Sequence, residues 1–221
     1  MLWQSHSVVA AGFVVPPDGR RDIIWTLQDF DEQDSTGAVR AHVTETSRSA
    51  EEVSAQPNQI WVGARLKPGV LVLHLPSNFD DLLICLPSDD LSQIAARFRI
   101  WIAEARFQLP PKYIQTATTL AHCTGGRASA GDLSKAAGVA PRYLLRGFNK
   151  YLGLGPKAYL DIMRINRALQ LRAQSSISLT QIALECGYAD QAHFTRSCRR
   201  LMGLAPKDLS NRIILPRLPL I

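Results

Sequence analysis

A guanidinium group can grip guanine O6 and N7 with two hydrogen bonds, a carboxamide can pair with adenine, and a small methyl-bearing side chain can meet the thymine methyl. Two short stretches of this 221-residue chain place such side chains at helical spacing. In PRYLLRGFNKYLG, Leu144 and Phe148 lie four apart and face inward, which leaves Arg142, Leu145, Arg146 and Asn149 on the outer face. In DQAHFTRSCRRLMG, Phe194, Cys198 and Leu201 take the inner side, and Gln191, Ala192, His193, Thr195, Arg196, Arg199 and Arg200 remain outward. Arg146 and Arg196 are the first candidates for base contact, followed by Asn149 and His193. Lys150, Lys157, Arg199 and Arg200 suit phosphates, which add affinity without sequence information.

The elements that must position these side chains occur twice. Leu133 and Gly138 recur as Ile182 and Gly187, each 49 residues later, and Leu144, Arg146 and Pro156 recur as Phe194, Arg196 and Pro206, each 50 residues later. The second copy therefore carries one extra residue in its turn. Each copy reads as a short apolar helix, a glycine turn and a basic helix, the outline of a helix-turn-helix whose second helix enters the DNA major groove. Glycine suits the sharp reversal because it reaches left-handed backbone angles without a Cβ penalty. Helices are expected over 113–123, 129–137, 141–152, 178–186 and 190–202. A long helix opens at Pro156, with Tyr159, Leu160, Met163, Ala168, Leu169 and Leu171 buried between the copies, and a short closing helix begins at Pro206.

Charge divides along the same line. Residues 112–221 hold 16 Lys+Arg against 5 Asp+Glu, a net of +11, whereas residues 1–111 hold 9 against 14, a net of −5. A basic half that coincides with the repeats points to nucleic acid. A hydrophobic share of 46% and a charged share of 20% exclude a disordered chain. No uninterrupted apolar run approaches the roughly 18 residues of a membrane span, and MLWQSHSVV lacks the basic start and long apolar core of a signal peptide. The chain is accordingly read as cytoplasmic, without a membrane partner. The four cysteines, Cys85, Cys123, Cys186 and Cys198, form no CxxC pair and read as reduced thiols. No GxSxG elbow, P-loop or HExxH occurs. His122-Cys123 and His193/Cys198 are poorly spaced for one metal site. The expectation is a protein that is not an enzyme and holds no metal or other cofactor.

The fold class read from these patterns is α+β. Residues 1–90 form a small β-rich domain: AGFVV, DIIWTL, AVRAHV, QIWVGARL and GVLVLHLP are apolar runs broken by PPDG, KPG and PSN. Residues 46–58 are polar and read as a loop. Trp25, Trp61 and His74 either line a pocket or are ordinary half-buried strand residues. Residues 91–112 form a linker helix, with Leu91, Ile94, Ala95, Phe98, Ile102 and Ala105 on one face, Asp90 with Gln93 as a capping pair, and Pro110-Pro111 as its stop. That face either packs on its own domain or meets a second copy. Residues 113–212 form an all-α domain with two helix-turn-helix units joined by a long helix, and 213–221 a tail.

The segment SLTQIALECGYADQAHFTRSCRRLMGLAPKD closely resembles the signature of the AraC/XylS transcriptional regulators, through Ile182-Ala183, Gly187-Tyr188, Phe194, Arg196, Gly203 and Pro206. The first copy follows it through Leu133, Gly138, Leu144, Arg146, Phe148, Gly153 and Pro156. The resemblance covers about residues 113–212. It implies a seven-helix domain, sequence-specific binding to double-stranded DNA over two successive groove segments, and no catalysis. Cys198 departs from the family pattern, which has an aromatic residue there. VVPPDGRRDIIW and VGARLKPGV are similar to segments in a poorly described subgroup of these regulators. By analogy that half senses a small-molecule effector or holds a homodimer together, and RNA polymerase is a partner if the protein activates. The DNA-alkylation-repair fusions of the family need an N-terminal cysteine zinc cluster, and only Cys85 lies in the first half.

Overall fold

The computed structural model describes residues 2–7, 11–28, 38–57, 59–77, 91–174 and 177–211. They form α+β architecture in two compact units. Asp90, Cys85 and the tail lie outside the described residues.

The first unit comprises residues 1–11, 20–45 and 54–109. Strands β1 (Leu2–Ser7), β3 (Asp22–Gln28), β4 (Ala38–Val43) and β6 (Gln59–Arg65) make a four-stranded sheet in the order β1-β6-β3-β4, antiparallel at every pairing. Helix α1 (Leu91–Ala103) covers one face of it. Ile94, Phe98 and Trp101 are buried there against Ile23, Trp25, Leu27, Ile60 and Val62. Trp25 meets Phe98 edge-on at 5.0 Å and Trp101 at 5.2 Å, contacts that add to the area each ring buries. The apolar face of α1 is therefore filled by its own unit. The helix stops at Ala103, short of Pro110-Pro111, because residues 106–108 extend as β8 (Arg106–Gln108) and pair with β7 (Leu71–His74). Trp25 lies opposite Val62 and Trp61 opposite Thr26, so the two tryptophans point to opposite faces of the sheet, and His74 is exposed on β7. All three are strand residues, but only Trp61 is half-buried: Trp25 is fully buried and His74 exposed.

The second unit comprises residues 110–221 together with 12–19 and 46–53. Its helices are α2 (Lys112–Cys123), α3 (Ala130–Ala137), α4 (Pro141–Leu152), α5 (Pro156–Gln174), α6 (Leu179–Glu185), α7 (Gln191–Met202) and a closing 3-10 turn (Pro206–Asn211). The apolar periodicity and the Pro and Gly punctuation place every one of them within a residue or two of expectation. Helix α5 runs between the two helix-turn-helix units and touches α2, α3, α4, α6 and α7. Ile162, Ile165, Ala168 and Leu169 on α5 are buried. Two points depart from the sequence reading. Residues 46–58 contain a strand, β5 (Glu51–Ala55), paired with β2 (Ala11–Val15). In β5 only Ala55 is buried, so its sequence lacks the apolar alternation that marks a half-buried strand. Residues 12–19 and 46–53 also cluster with the helices and not with the four-stranded sheet.

Candidate nucleic-acid interface

The first helix-turn-helix is α3, a turn and α4. Ser129 opens α3 with a reciprocal cap. Its Oγ accepts from the Asp132 backbone N–H (3.1 Å), while the Asp132 carboxylate accepts from the Ser129 N–H (2.8 Å) and hydroxyl (2.7 Å). These two donors hold the Asp132 carboxyl below its ordinary value. The cap fixes the start of the unit at Ser129. At the far end Gly138 adopts φ +65°, and the Val139 N–H reaches back to the Ser134 carbonyl (3.2 Å), closing the left-handed turn. Pro141 then starts α4. Leu144 and Phe148 are fully buried, which forces Arg142, Leu145, Arg146, Asn149 and Lys150 to the exposed side.

Sequence reasoning passed over one exposed aromatic residue on this surface. Tyr143 is 45% exposed, its ring lies 5.0 Å from that of Tyr113 on α2, and the Arg146 guanidinium sits over it at 5.4 Å. The Tyr–x–x–Arg spacing on one helix was the available signal. Stacking on Tyr143 restricts the Arg146 side chain while leaving its outer edge exposed. Lys150 lies similarly over Tyr151, at 5.2 Å.

The second unit is α6, a longer turn and α7. Ser178 caps α6 and Asp190 caps α7, the latter by accepting the His193 N–H at 2.6 Å. Gly187 holds φ +77°, and the Tyr188 N–H bonds the Ala183 carbonyl at 2.9 Å. Phe194, Cys198 and Leu201 are buried beneath α7. Cys198 fills its place against Ile165, Phe194 and their neighbours, and it is wholly inaccessible. Burial pushes its thiol up to about 12 and that of Cys186 up to about 11, and it raises the Tyr188 hydroxyl as well.

The outward side chains of α7 are not equivalent. Gln191, Ala192, Thr195, Arg196 and Arg199 line one open surface concavity. The Gln191 Oε1 accepts from the Thr180 hydroxyl at 2.8 Å, which ties the side chain to α6. The Thr195 hydroxyl donates to the Gln191 carbonyl (2.8 Å), leaving the methyl as its outward feature. His193 is half-buried: its ring stands edge-on to Tyr188 at 5.2 Å, and its Nδ1 accepts from the Ala189 N–H at 3.4 Å. Arg200 pairs with Asp161 on α5 at 3.0 Å, with 59% of its side chain exposed. The concavity thus gathers five of the expected α7 residues, while His193 and Arg200 are held by other contacts. Lys157 is exposed at the start of α5.

The thiol environments give a direct check. Of the cysteines among the described residues, Cys123 is exposed and Cys186 and Cys198 are buried. A maleimide added to the native protein at pH 8 is expected to label the peptide carrying Cys123 and to spare those carrying Cys186 and Cys198 until denaturant is added. Native labelling of Cys198 in peptide mass spectra would contradict the packing under α7.

Among the described residues no group of three or more His, Cys, Asp or Glu is placed to hold a metal ion, and no helix is long and apolar enough to cross a membrane. Comparison with known proteins adds the following. Residues 133–212 match the family described as a helix-turn-helix domain. The HTH-type transcriptional regulator ArgR of Pseudomonas aeruginosa is 38% identical over 74 residues, which is 34% of this chain and 22% of that protein. The chain therefore spans less than a quarter of the length of this curated relative. A solved transcriptional regulator from Chromobacterium violaceum, described by its AraC-type DNA-binding domain, is 33% identical and is covered over 91% of its length, with 45% of this chain and a TM-score of 0.43. ToxT from Vibrio cholerae shares the fold over 94% of this chain and 96% of its own, with a TM-score of 0.52 at 12% identity.

Proposed function

Because this chain belongs to the AraC-type helix-turn-helix family, we propose that it is a transcriptional regulator that reads two successive major-groove segments of double-stranded DNA, one with α4 and one with α7. The observation that carries this reading is the pair of independently capped units, each presenting an exposed polar and basic face on its second helix. Both faces lie on the half of the chain with a net charge of +11, which draws in the phosphate backbone. Arg146 and Arg196 are the leading base readers, with Arg142, Asn149, Gln191, Ala192 and Thr195 beside them. Lys150, Arg199 and Arg200 serve phosphates.

Helix α5 has 19 residues, so it spans about 28 Å at roughly 1.5 Å per residue. That is slightly less than the roughly 34 Å between successive major-groove faces on one side of B-DNA. The width of the two units and a modest bend in the DNA close the difference. The faces differ, Arg142, Arg146 and Asn149 against Gln191, Thr195 and Arg196, so one molecule reads an asymmetric site and not a palindrome. The first unit, with its β-sheet and α1, is proposed to sense a small-molecule effector or to pair two copies, by analogy with the family alone. A regulator needs no catalytic centre, and the matched relatives are named as regulators.

The test is genome-wide selection of bound fragments followed by footprinting at limiting protein. A single asymmetric protected region of roughly two helical turns is expected, and substitution of Arg146 should alter only the part of the footprint read by α4. Protection of one short segment, indifferent to changes in α4, would leave α7 as the sole reader.

A further inference from the structure

We infer that residues 12–19 and 46–53 are a working part of the DNA-binding unit: they form a ribbon that sets the position of α4 and α7 relative to each other. The inference rests on the two-segment reading above and adds to it a set of positioning residues from the N-terminal half of the sequence.

The ribbon engages the helical unit at each of the three elements that decide that spacing. At α7, the Ala50 N–H donates to the Leu201 carbonyl at 2.6 Å. Leu201 lies in the last turn of α7, where carbonyls lack intrahelical donors, so the ribbon supplies one. At α4, the Arg48 guanidinium reaches the carbonyl of Gly153, the residue that caps the helix, at 3.4 Å. At α5, the Asn166 side chain is 4% exposed and donates both to the Pro17 carbonyl (2.6 Å) and to the Ile162 carbonyl (2.9 Å). Asparagine is an indifferent helix former, and a buried amide is costly unless bonded. Its presence in mid-helix is explained by the Pro17 contact.

Packing reinforces the three bonds. Val14 is buried in one core with Ile165 and Leu169 of α5, Ile182 of α6 and Phe194 of α7. Gly19 holds φ +70°, and a Cβ there would stand 2.5 Å from the Tyr159 ring. Tyr159 is fully buried, hydrogen-bonded to His122 at 3.0 Å and edge-on to Phe148 of α4. The ribbon thus bears on the first helix-turn-helix through Gly19 and Arg48 and on the second through Val14 and Ala50. Residues 20–45, which join its two strands in sequence, belong to the first compact unit.

The experiment uses the full chain and two duplexes taken from the selected site, one carrying both groove segments and one carrying only the α7 segment. Asn166→Leu removes the bond to Pro17 while keeping the number and branching of the side-chain heavy atoms. Ala50→Pro removes the N–H given to Leu201, while also fixing its own φ and restricting Ser49, and it decides the matter if the first variant does not fold. Each is expected to lose roughly tenfold in affinity for the two-segment duplex, the scale of one hydrogen bond, while binding the one-segment duplex as the parent does. A purely structural role would move both affinities together, and that result overturns the inference, as does parental binding on both duplexes. Failure of the parent chain to bind either duplex would instead overturn the two-segment reading.

Discussion

Gly187→Val is expected to cost the helical unit much of its stability. The residue sits in the turn between α6 and α7 at φ +77°, a region that β-branched residues almost never occupy. Holding valine there costs on the order of 1–3 kcal/mol. A Cβ at this position would also meet the Arg127 Cγ at 3.1 Å, so the arginine must shift too. Against a total stability of about 5–15 kcal/mol for a domain, this is a large loss, and it falls on the turn that aims α7. Gly138→Ala is the informative comparison. Its φ of +65° is similar, but nothing lies within 4 Å of the added Cβ, so only the backbone term of about 1–2 kcal/mol remains. Thermal melting followed by helix ellipticity should rank the two variants in that order. A melting temperature unchanged by Gly187→Val would mean that the turn does not need its left-handed residue.

The helical half was legible in the sequence because its signals are local. The glycines at 138 and 187 and the prolines at 141 and 156 each act within a few residues of their own position, and each marks an observed boundary; the Ser129–Asp132 cap is as local but was not read from the sequence. The outward faces of α4 and α7 follow from where Leu144, Phe148, Phe194 and Cys198 point, which periodicity alone determines. What the sequence hid are pairings between distant positions. Asn166 and Pro17 lie 149 residues apart, and neither residue type advertises the other. The Thr180 hydroxyl reaches Gln191 only because of how α6 and α7 cross, and Arg200 finds Asp161 across 39 residues. These contacts bear directly on the site: they tie Gln191 to α6 and draw Arg200 toward α5. The strand β5 was missed for a related reason. Glu51, Glu52 and Ser54 are exposed in a two-stranded ribbon, so no alternation of polar and apolar residues betrays it.

Arg196→Ala is expected to relax sequence preference as well as to weaken binding. Arg196 is exposed in the middle of α7, flanked in the same concavity by Ala192, Thr195 and Arg199. Its neighbours are committed elsewhere: the Gln191 oxygen is bonded to Thr180, the Thr195 hydroxyl to the Gln191 carbonyl, and His193 to the turn. Among the long side chains of that concavity, Arg196 and Arg199 carry guanidinium forks able to make two parallel bonds to one guanine. Arg199 lies in the last turn of the helix, whereas the N-terminal part of a recognition helix enters the groove deepest. We therefore propose Arg196 as the base reader and Arg199 as the phosphate contact. Loss of a good bidentate base contact costs roughly 1–3 kcal/mol, which is about five- to 150-fold in affinity for the selected site. Binding to random DNA should fall much less, since one charge among many is removed there. Arg199→Ala should behave oppositely, weakening both kinds of DNA about equally and reducing the slope of log affinity against log salt by about one. Measuring both variants on selected and random duplexes across a salt series separates the roles. If Arg196→Ala weakens the two duplexes by the same factor, its guanidinium lies on the backbone, and the specificity of α7 must come from Ala192 and Thr195 meeting thymine methyls.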